Sequence, residues 1–416
     1  MRQLQHLTRD ARLLFATRFV RLFAYGSLSV VLVFYLVGVG LTESQTGLLL
    51  TLTLVGDTVV SLFLTTRADR IGRRRMLIAG AGLMAAAGLV FASTTNLWLL
   101  VLAGTIGVVS PSGQEVGPFL PIEQAALSQL VTDRIRTEVF AWYTLTGSVA
   151  TALGALAGGT ATRALQQAAL PPVVSYRMVV ILYAAIGVVL AALFTRLSTA
   201  TEATTPREKQ AFRAGFAPLS GLDRSRHVVV KLSALFALDS FGGGFIIQSF
   251  AAYWFFLRFG VNPGILGAIF FWANIFAGLS ALLASRLASR IGLINTMVAT
   301  HVPSNILLIL VPLMPTLPLA VLVLLLRFSI SQMDVPTRQS YVMAVVGPEE
   351  RSAAAGITGV ARTTGAAISP LFVGFMFAQP GLINLPFFIA GTLKLTYDVL
   401  LYRGFVAVRP PEEIQE

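Results

Sequence analysis

The sequence contains no cysteine, which removes disulfides and thiolate metal sites from consideration and leaves the redox compartment unread. It is also poor in charge: 12% of its 416 residues are Asp, Glu, Lys or Arg, where an ordinary soluble domain carries roughly 25%. Histidine is scarce, and His6, His227 and His301 lie far apart and near the ends of apolar segments. No metal-ligand or proton-relay constellation is expected among them. No nucleotide-binding loop of the Gly-x-x-x-x-Gly-Lys-Ser/Thr kind occurs, so the chain is not an ATPase by itself. No enzymatic activity, cofactor or metal is expected. The stretch before Arg18 lacks an apolar run followed by a small-residue cleavage site, and no removable signal peptide is read there.

What the chain has instead is apolar length. Hydrophobic residues make up 55% of it, and the mean hydropathy is +0.77. They come in repeated blocks of about 20 residues, each long enough to cross a hydrocarbon core of ~30 Å as a helix. Spans are expected near 14–39, 45–66, 76–94, 97–131, 138–163, 175–197, 228–258, 264–286, 294–314, 317–346, 352–378 and 382–403. The blocks lack the two-residue alternation of a barrel, and backbone exposed to lipid must satisfy its own hydrogen bonds. The fold class is therefore all-α integral membrane, with twelve transmembrane helices. A net charge of +12 could point to nucleic acid, yet the basic residues sit in short links between apolar blocks and read as topology, with lipid rather than nucleic acid as the partner.

Charge sets the orientation. The link between spans two and three holds Arg67, Arg70, Arg73, Arg74 and Arg75, whereas the links near 95 and 315 hold no Lys or Arg. The rich side is the cytoplasm, and Arg2, Arg9 and Arg12 keep the N-terminus there. Twelve spans return the C-terminus to the same side. An integral plasma-membrane protein is expected, a bacterial inner membrane being the setting that fits first. The one long polar segment, 198–227, carries Arg207, Lys209, Arg213, Arg224 and Arg226. It reads as a cytoplasmic linker with a basic patch suited to anionic lipid. It divides the chain into an N-terminal six-helix bundle at 1–197 and a C-terminal one at 228–416.

The halves repeat. At an offset of 220, Arg70-Ile71-Gly72 falls on Arg290-Ile291-Gly292 and Gly47 on Gly267; at 215, Pro121, Gln124, Val131, Arg136 and Gly159 fall on Pro336, Gln339, Val346, Arg351 and Gly374. Parallel six-span repeats with a site at their interface are a transporter architecture. The change of offset means that span four carries about five extra residues relative to span ten.

The link after span two reads Thr65-Thr66-Arg67-Ala68-Asp69-Arg70-Ile71-Gly72-Arg73-Arg74. From Asp69 onward it resembles the Gly-x-x-x-Asp-Arg-x-Gly-Arg-Arg/Lys loop of the major facilitator superfamily, without the leading Gly. Ser289-Arg290-Ile291-Gly292 echoes it between spans eight and nine without the Asp. The resemblance implies two pseudo-symmetric six-helix bundles, spans one, four, seven and ten lining the pathway, and a protein that commonly works as a monomer. It also implies a conformational latch formed by Asp69, Arg70, Gly72 and Arg73 against the start of span eleven near Ser352. The physics suits such a latch, since Gly72 permits a tight turn and Asp69 can accept from a helix N-terminus, where the dipole favours an anion. Two segments depart from the family. Leu99 to Gly104 carries no Arg of the kind associated there with proton coupling, and Gly154-Ala155-Leu156-Ala157-Gly158-Gly159 keeps the glycines of the fifth-span antiporter motif but not its Pro. Those glycines still allow close helix contact.

Ionisable groups at bilayer depth are costly, so each is a functional candidate. They are Arg18 and Arg21 in span one, Asp57 in span two, Glu115 and Glu123 in span four, Asp239 in span seven, and Asp334 and Arg338 in span ten. Span four contains Pro111, Gly113, Gly117, Pro118 and Pro121, which forbid a regular helix. Unwound backbone at depth is tolerated only inside protein or beside water, and a half-helix restarting near Pro118 or Pro121 would point its positive end at a binding cavity. In span ten, Pro336 makes a kink that Asp334 could cap. By the 215 offset Glu123 and Arg338 are mates, each one residue before a Gln, and an acid and a base are expected to face each other near mid-bilayer. Asp239 precedes Gly242-Gly243-Gly244, glycines that weaken span seven where a gate would bend. Lys394 and Asp398, spaced i, i+4, are expected to neutralise each other. Tyr253-Trp254-Phe255-Phe256 suits an interfacial aromatic belt.

Two transport readings follow. The first is a secondary active transporter of a small organic solute working by alternating access, most naturally a proton-coupled antiporter acting in efflux, with Asp239, Glu123 or Asp57 as the coupling acid. The second is a carrier of organic anions or phosphorylated metabolites, by exchange or symport, using Arg338, Arg18 or Arg21 and the broken fourth helix. A receptor or scaffold does not need so many buried ionisable groups, and a channel needs a ring of repeated polar residues that is not seen.

Overall fold

The computed structural model describes residues 7–202, 222, 225–347 and 349–408. Arg2, His6 and the linker residues Arg207, Lys209, Arg213 and Arg224 lie outside the described residues, as do the side chains of Asp133 and Ser352. Spans one to three are α1 (Arg9–Gly38), α2 (Glu43–Ile71) and α3 (Arg73–Ser93). Span four is α4 (Leu97–Ile106) followed, after a non-helical stretch, by α5 (Phe119–Leu130). Spans five and six are α6 (Asp133–Gln167) and α7 (Pro172–Phe194). Span seven is α8 (Arg226–Gly244) and α9 (Gln248–Phe259), with α10 (Pro263–Ile291) and α11 (Leu293–Leu310) as spans eight and nine. Span ten is α12 (Leu317–Phe328) and α13 (Asp334–Ala344), and α14 (Arg351–Phe377) and α15 (Leu385–Phe405) complete the chain. Among the described residues, ten stretches are long and apolar enough to cross a membrane. The short apolar α4 and α12, each continued by a second helix, bring the crossings to twelve.

Helix ends follow local chemistry. Thr42 and Gln45 form a reciprocal capping box at the start of α2, satisfying two of the amides left over at a helix N-terminus. The repeated Arg-Ile-Gly ends both α2 and α10: Gly72 and Gly292 adopt φ of 121° and 84°, and their N–H groups donate to the carbonyls of Ala68 and Ala288 at 2.8 and 2.9 Å. A positive φ, open to glycine without strain, stops each helix here and lets the next one start at once.

By packing, the described residues within Met1–Gln210 and Ile247–Asn274 form one compact unit, and those within Ala211–Ile246 and Ile275–Glu416 form another. In the first unit α1 and α6 touch through their backbones. A Cβ on Gly154 would strike the Phe23 carbonyl, and one on Gly158 would lie 2.6 Å from the Ser27 carbonyl oxygen. Ser27 in turn donates its hydroxyl to the Gly154 carbonyl at 2.9 Å. The fifth-span glycines thus serve close packing inside this unit. The second unit is built on a core containing Leu232, Phe236, Met297, Tyr341, Tyr397 and Leu401. Large apolar side chains such as Trp98, Val59, Leu102, Leu322 and Phe375 are exposed, as lipid-facing helix surfaces require.

The aromatic run of span seven departs from the expected interfacial belt. Tyr253, Trp254 and Phe255 are buried and only Phe256 is exposed. The α9 segment belongs to the first unit, where the Tyr253 hydroxyl donates to Glu43 Oε1 at 3.0 Å and Phe34 packs edge-on against Tyr253 and Phe256. A polar partner and an aromatic neighbour make burial more favourable than the headgroup layer.

Candidate functional site

Buried ionisable side chains gather in one centre in each unit. In the first, α1 places Arg18 and Arg21 one turn apart on the same face. The restarted α5 supplies Glu123, and the non-helical stretch before it supplies Glu115. Arg21 Nη1 and Nη2 donate to Glu123 Oε1 and Oε2, each at 2.7 Å, a fork-on-fork pair that fixes both planes. Arg21 Nη2 also reaches Glu115 Oε1 at 3.2 Å, and Arg18 Nη1 lies 2.6 Å from the same oxygen. Glu123, fully buried, further accepts from the Tyr143 hydroxyl at 2.5 Å and the Thr17 hydroxyl at 3.2 Å. Tyr143 also lies under the Arg18 guanidinium, and Phe119 lies under that of Arg21. Two arginines and two glutamates balance.

The non-helical stretch of span four, 107–118, obeys the rule that buried backbone must find partners. Its carbonyls are taken by hydroxyls from four helices. Tyr183 donates to Val108, and Thr151 donates to Gly113 at 3.2 Å. Ser61 donates to Gly117 at 2.9 Å, and Ser249 donates to Pro111 through both its hydroxyl and its N–H. Gly113 and Gly117 have φ of 69° and 75°, a conformation other residues enter with strain. The break expected from the prolines is thus present, and α5 restarts just after Pro118.

Asp57 in α2 lies against this stretch. It is 8% exposed and accepts from the backbone of Gly117, while its Oδ1 has no partner. Among the described residues no cation pairs with it, which sets it apart from Glu115 and Glu123 of the same unit.

In the second unit Asp239 of α8 is shared among three neighbours. Lys394 Nζ of α15 lies 2.6 Å and His301 Nε2 of α11 lies 3.6 Å from Oδ1, and Arg338 Nη1 of α13 lies 3.0 Å from Oδ2. Arg338 also pairs with Asp334, one turn before it, at 3.3 Å. Asp398 of α15 accepts at 2.7 Å from His301 Nδ1 and at 3.0 Å from Asn305 Nδ2. Donor atoms of Asp239, His301 and Asp334 fall within 4.8 Å of one another. Lys394 and Arg338 already face both oxygens of Asp239, so side chains supply the positive charge that this acidic group demands.

Two expectations change. Lys394 and Asp398 do not neutralise each other, because they meet different helices: Lys394 turns to Asp239 and Asp398 to His301. His301 lies well inside α11 and is buried, at the middle of a polar cluster rather than isolated near a span end. The signal that could have found it is His301 and Asn305 at i, i+4 in one apolar span, matched by Lys394 and Asp398 at i, i+4 in another. Two polar stripes of this kind must find each other or water. Glu123 and Arg338, for their part, are each ion-paired inside their own unit.

At the loop after span two, Asp69 Oδ1 accepts from Arg73 Nε at 2.7 Å. The start of α3 is capped by Glu202, whose carboxylate accepts from the N–H groups of Arg73 at 2.6 Å and Arg74 at 3.2 Å. Arg73 also donates to Gln129 and to the Thr201 carbonyl. Glu202, which the sequence did not single out, thus plays toward α3 the anionic role that Asp69 was expected to play toward span eleven. Arg70 is exposed.

A family profile described as the Major Facilitator Superfamily matches residues 14–370. An uncharacterised membrane protein of Saccharomyces cerevisiae is 32% identical over 96% of this chain and 95% of its own length. A Na(+), Li(+), K(+)/H(+) antiporter of Planococcus maritimus is 30% identical over 112 residues, 27% of this chain and 26% of its own. Among solved structures, that of the nucleoside transporter NupG superposes with a TM-score of 0.75 at 16% identity, covering 95% of this chain and all of that one.

Proposed function

Since the chain belongs to the major facilitator superfamily, with the family profile spanning residues 14–370, we propose that it works by alternating access as a proton-coupled secondary transporter of a small organic solute, in the direction of export. It is an integral membrane transporter of small solutes.

The observation that carries proton coupling is Asp57. A carboxyl buried without a cation or a full set of donors is costly as an anion. Taking up a proton removes that cost, and the adjoining stretch 107–118 is non-helical and bounded by helix ends, so it can rearrange when the charge changes. Glu123 and Asp239, the other candidate acids, already hold Arg21 on one side and Lys394 with Arg338 on the other. Asp57 is therefore the better proton carrier, and the two ion-paired centres are the better solute-binding elements. Arg18, Arg21, Glu115 and Glu123 would meet the solute in the first unit, and Asp239, Asp334 and Arg338 in the second. The partial likeness to a cation/proton antiporter supports the exchange direction.

A conformational latch is part of this reading, with Asp69, Arg70, Gly72 and Arg73 acting together with Glu202. Both termini are assigned to the cytoplasm from the arginine-rich loop, and a monomer is the working state. A relative that spans nearly the whole chain is a yeast protein, which does not support the expected bacterial inner membrane.

The test is reconstitution in liposomes holding a pH-sensitive dye, challenged with nucleosides, sugars, organic amines and organic anions. One class is expected to drive proton movement, and Asp57→Asn is expected to abolish it while solute binding persists. Full proton movement in Asp57→Asn would remove Asp57 from the mechanism. Anion exchange without proton movement would select the organic-anion or phosphorylated-metabolite carrier instead.

A further inference from the structure

Two arginines of the second unit have no part in the reading above, Arg327 of α12 and Arg362 of α14. Arg327 continues the stripe of Ala320 and Leu324, which are buried, while Leu319, Leu322 and Leu326 on the other side of α12 are exposed. Arg362 falls between Thr358 and Gly365 on the stripe that α14 buries. Positions three and four apart share a helix face, so both side chains start from the inward faces of their helices. Each is half-buried, covered but not sealed.

Depth argues against side chains that merely snorkel to the headgroups. Arg327 stands ten residues after Leu317, and Arg362 eleven after Arg351, the first residues of their helices. At 1.5 Å per residue that is ~15 Å along each helix, the middle of a hydrocarbon core of ~30 Å. The crossing of α14 with α8 is fixed beside Arg362: a Cβ on Gly365 would strike the Ala237 carbonyl, and the Ser369 hydroxyl donates to the Phe241 carbonyl at 2.5 Å. Asp239 lies between those two positions of α8.

A guanidinium at that depth needs an anion, and the neighbouring side chains do not supply one. Nε of Arg327 and Nε of Arg362 are buried without a hydrogen-bond partner, and among the described residues neither side chain has a hydrogen bond or an ion pair. Arg327 has the Phe328 ring under its guanidinium at 5.0 Å. Both arginines stand within electrostatic range of Asp239 and Asp334, but those carboxylates are in contact with Lys394 and Arg338. Counting Asp398 as well, four cations face three carboxylates. The centre therefore carries at least one positive charge in excess, whatever the state of His301.

We propose that Arg327 and Arg362 bind the anionic group of the solute, a carboxylate or a phosphate monoester, which makes the solute an organic anion. A guanidinium presents its N–H donors in the fork that such oxyanions accept. An oxyanion bound there balances the excess charge. Identifying it with the solute rests on the transport reading; the anion site itself does not.

The full chain in detergent is titrated with benzoate and succinate for the carboxylate, and with phenyl phosphate and glucose 6-phosphate for the phosphate, while its unfolding temperature is followed. Benzamide and glucose are the uncharged counterparts, and chloride tests for a simple counter-ion. At least one of the two oxyanion classes is expected to raise the unfolding temperature with concentration, by mass action. Arg327→Gln and Arg362→Gln are each expected to weaken that binding about tenfold, the effect of losing a hydrogen bond to a charged group. Arg362→Lys, which keeps the charge, should weaken it less. Without ligand, neither Gln variant should lower the unfolding temperature, because no contact within the protein is lost. Four outcomes would overturn the proposal: no response to either class, an equal response to chloride or the uncharged compounds, undiminished binding in both Gln variants, or a ligand-free loss of stability in both. Proton movement plays no part in these readings, so their failure leaves the coupling reading standing, and failure of coupling leaves the anion site standing.

Discussion

Arg21 holds Glu123 through two parallel hydrogen bonds of 2.7 Å, and both side chains are fully buried. The pair joins the middle of α1 to the restarted half of span four. Removing Glu123 leaves Arg18 and Arg21 to share Glu115 alone, an imbalance of buried charge of the kind that costs about 3–5 kcal/mol. Glu123→Gln is therefore expected to destabilise the protein strongly, seen as a large drop in thermal unfolding temperature in detergent. Arg21→Met combined with Glu123→Leu should recover much of the loss, because no charge is then stranded. Equal destabilisation in the double variant would mean that the pair is not the source of the effect.

Asp57 predicts the opposite behaviour. Its carboxyl accepts from the Gly117 backbone and has no cation, so replacing it strands no charge. Asp57→Asn, whose side-chain oxygen can still accept from Gly117, should change unfolding stability by no more than about 1 kcal/mol, although it stops proton movement in liposomes. Asp57→Leu, which strands the Gly117 N–H, should cost about 1–3 kcal/mol. A variant that keeps its unfolding temperature and loses coupling separates a transport role from a packing one. A large stability loss in Asp57→Asn would show that the charge of the carboxyl holds a partner.

The glycines of the fifth span make a third case. Gly154 gives the α1 backbone room at Phe23, and small residues at such crossings let helices approach closely in lipid. Gly154→Ala pushes the two helices apart and also threatens the bond from the Ser27 hydroxyl to the Gly154 carbonyl. An expected cost of about 1–3 kcal/mol follows from overpacking. Gly82, whose Cβ would meet nothing within 4 Å, is the control: Gly82→Ala should be neutral or slightly stabilising, as a helix-interior Gly replaced by Ala usually is. Thermal unfolding of both variants in the same detergent checks the contrast.

These cases mark what could be read from the chain alone. Twelve crossings, their repeat and the interruption of span four were legible because hydrophobic length, proline and glycine act locally. Gly72 and Gly292 were legible as turns for the same reason. Partnerships were not. Glu202 reaches α3 across more than a hundred residues, and Lys394 meets Asp239 across 155. Spacing along one helix shows which groups share a face but not which helix that face meets, so the i, i+4 pair Lys394 and Asp398 was matched to itself when its true partners lie on α8 and α11. The hydroxyls that satisfy span four, Ser61, Thr151, Tyr183 and Ser249, carry no sequence mark at all, since serine and threonine in a helix can also bond their own backbone and a tyrosine hydroxyl shows no partner in sequence.

The second centre offers the sharpest quantitative test, because Asp239 holds Lys394 and Arg338 on separate oxygens. Lys394→Met leaves Asp239 Oδ1 with His301 at 3.6 Å, while Oδ2 keeps Arg338. Asp239→Asn leaves Lys394 without its carboxylate, and Arg338 retains Asp334 at 3.3 Å. Each single variant should therefore be destabilised. The double variant should be less so than the sum, with an interaction energy of about 1–3 kcal/mol, the range for residues in direct contact. Measured unfolding temperatures of the four proteins close the cycle. Additive effects would mean that the 2.6 Å contact between Lys394 and Asp239 contributes nothing of its own, and that Arg338 alone accounts for the charge balance of α8.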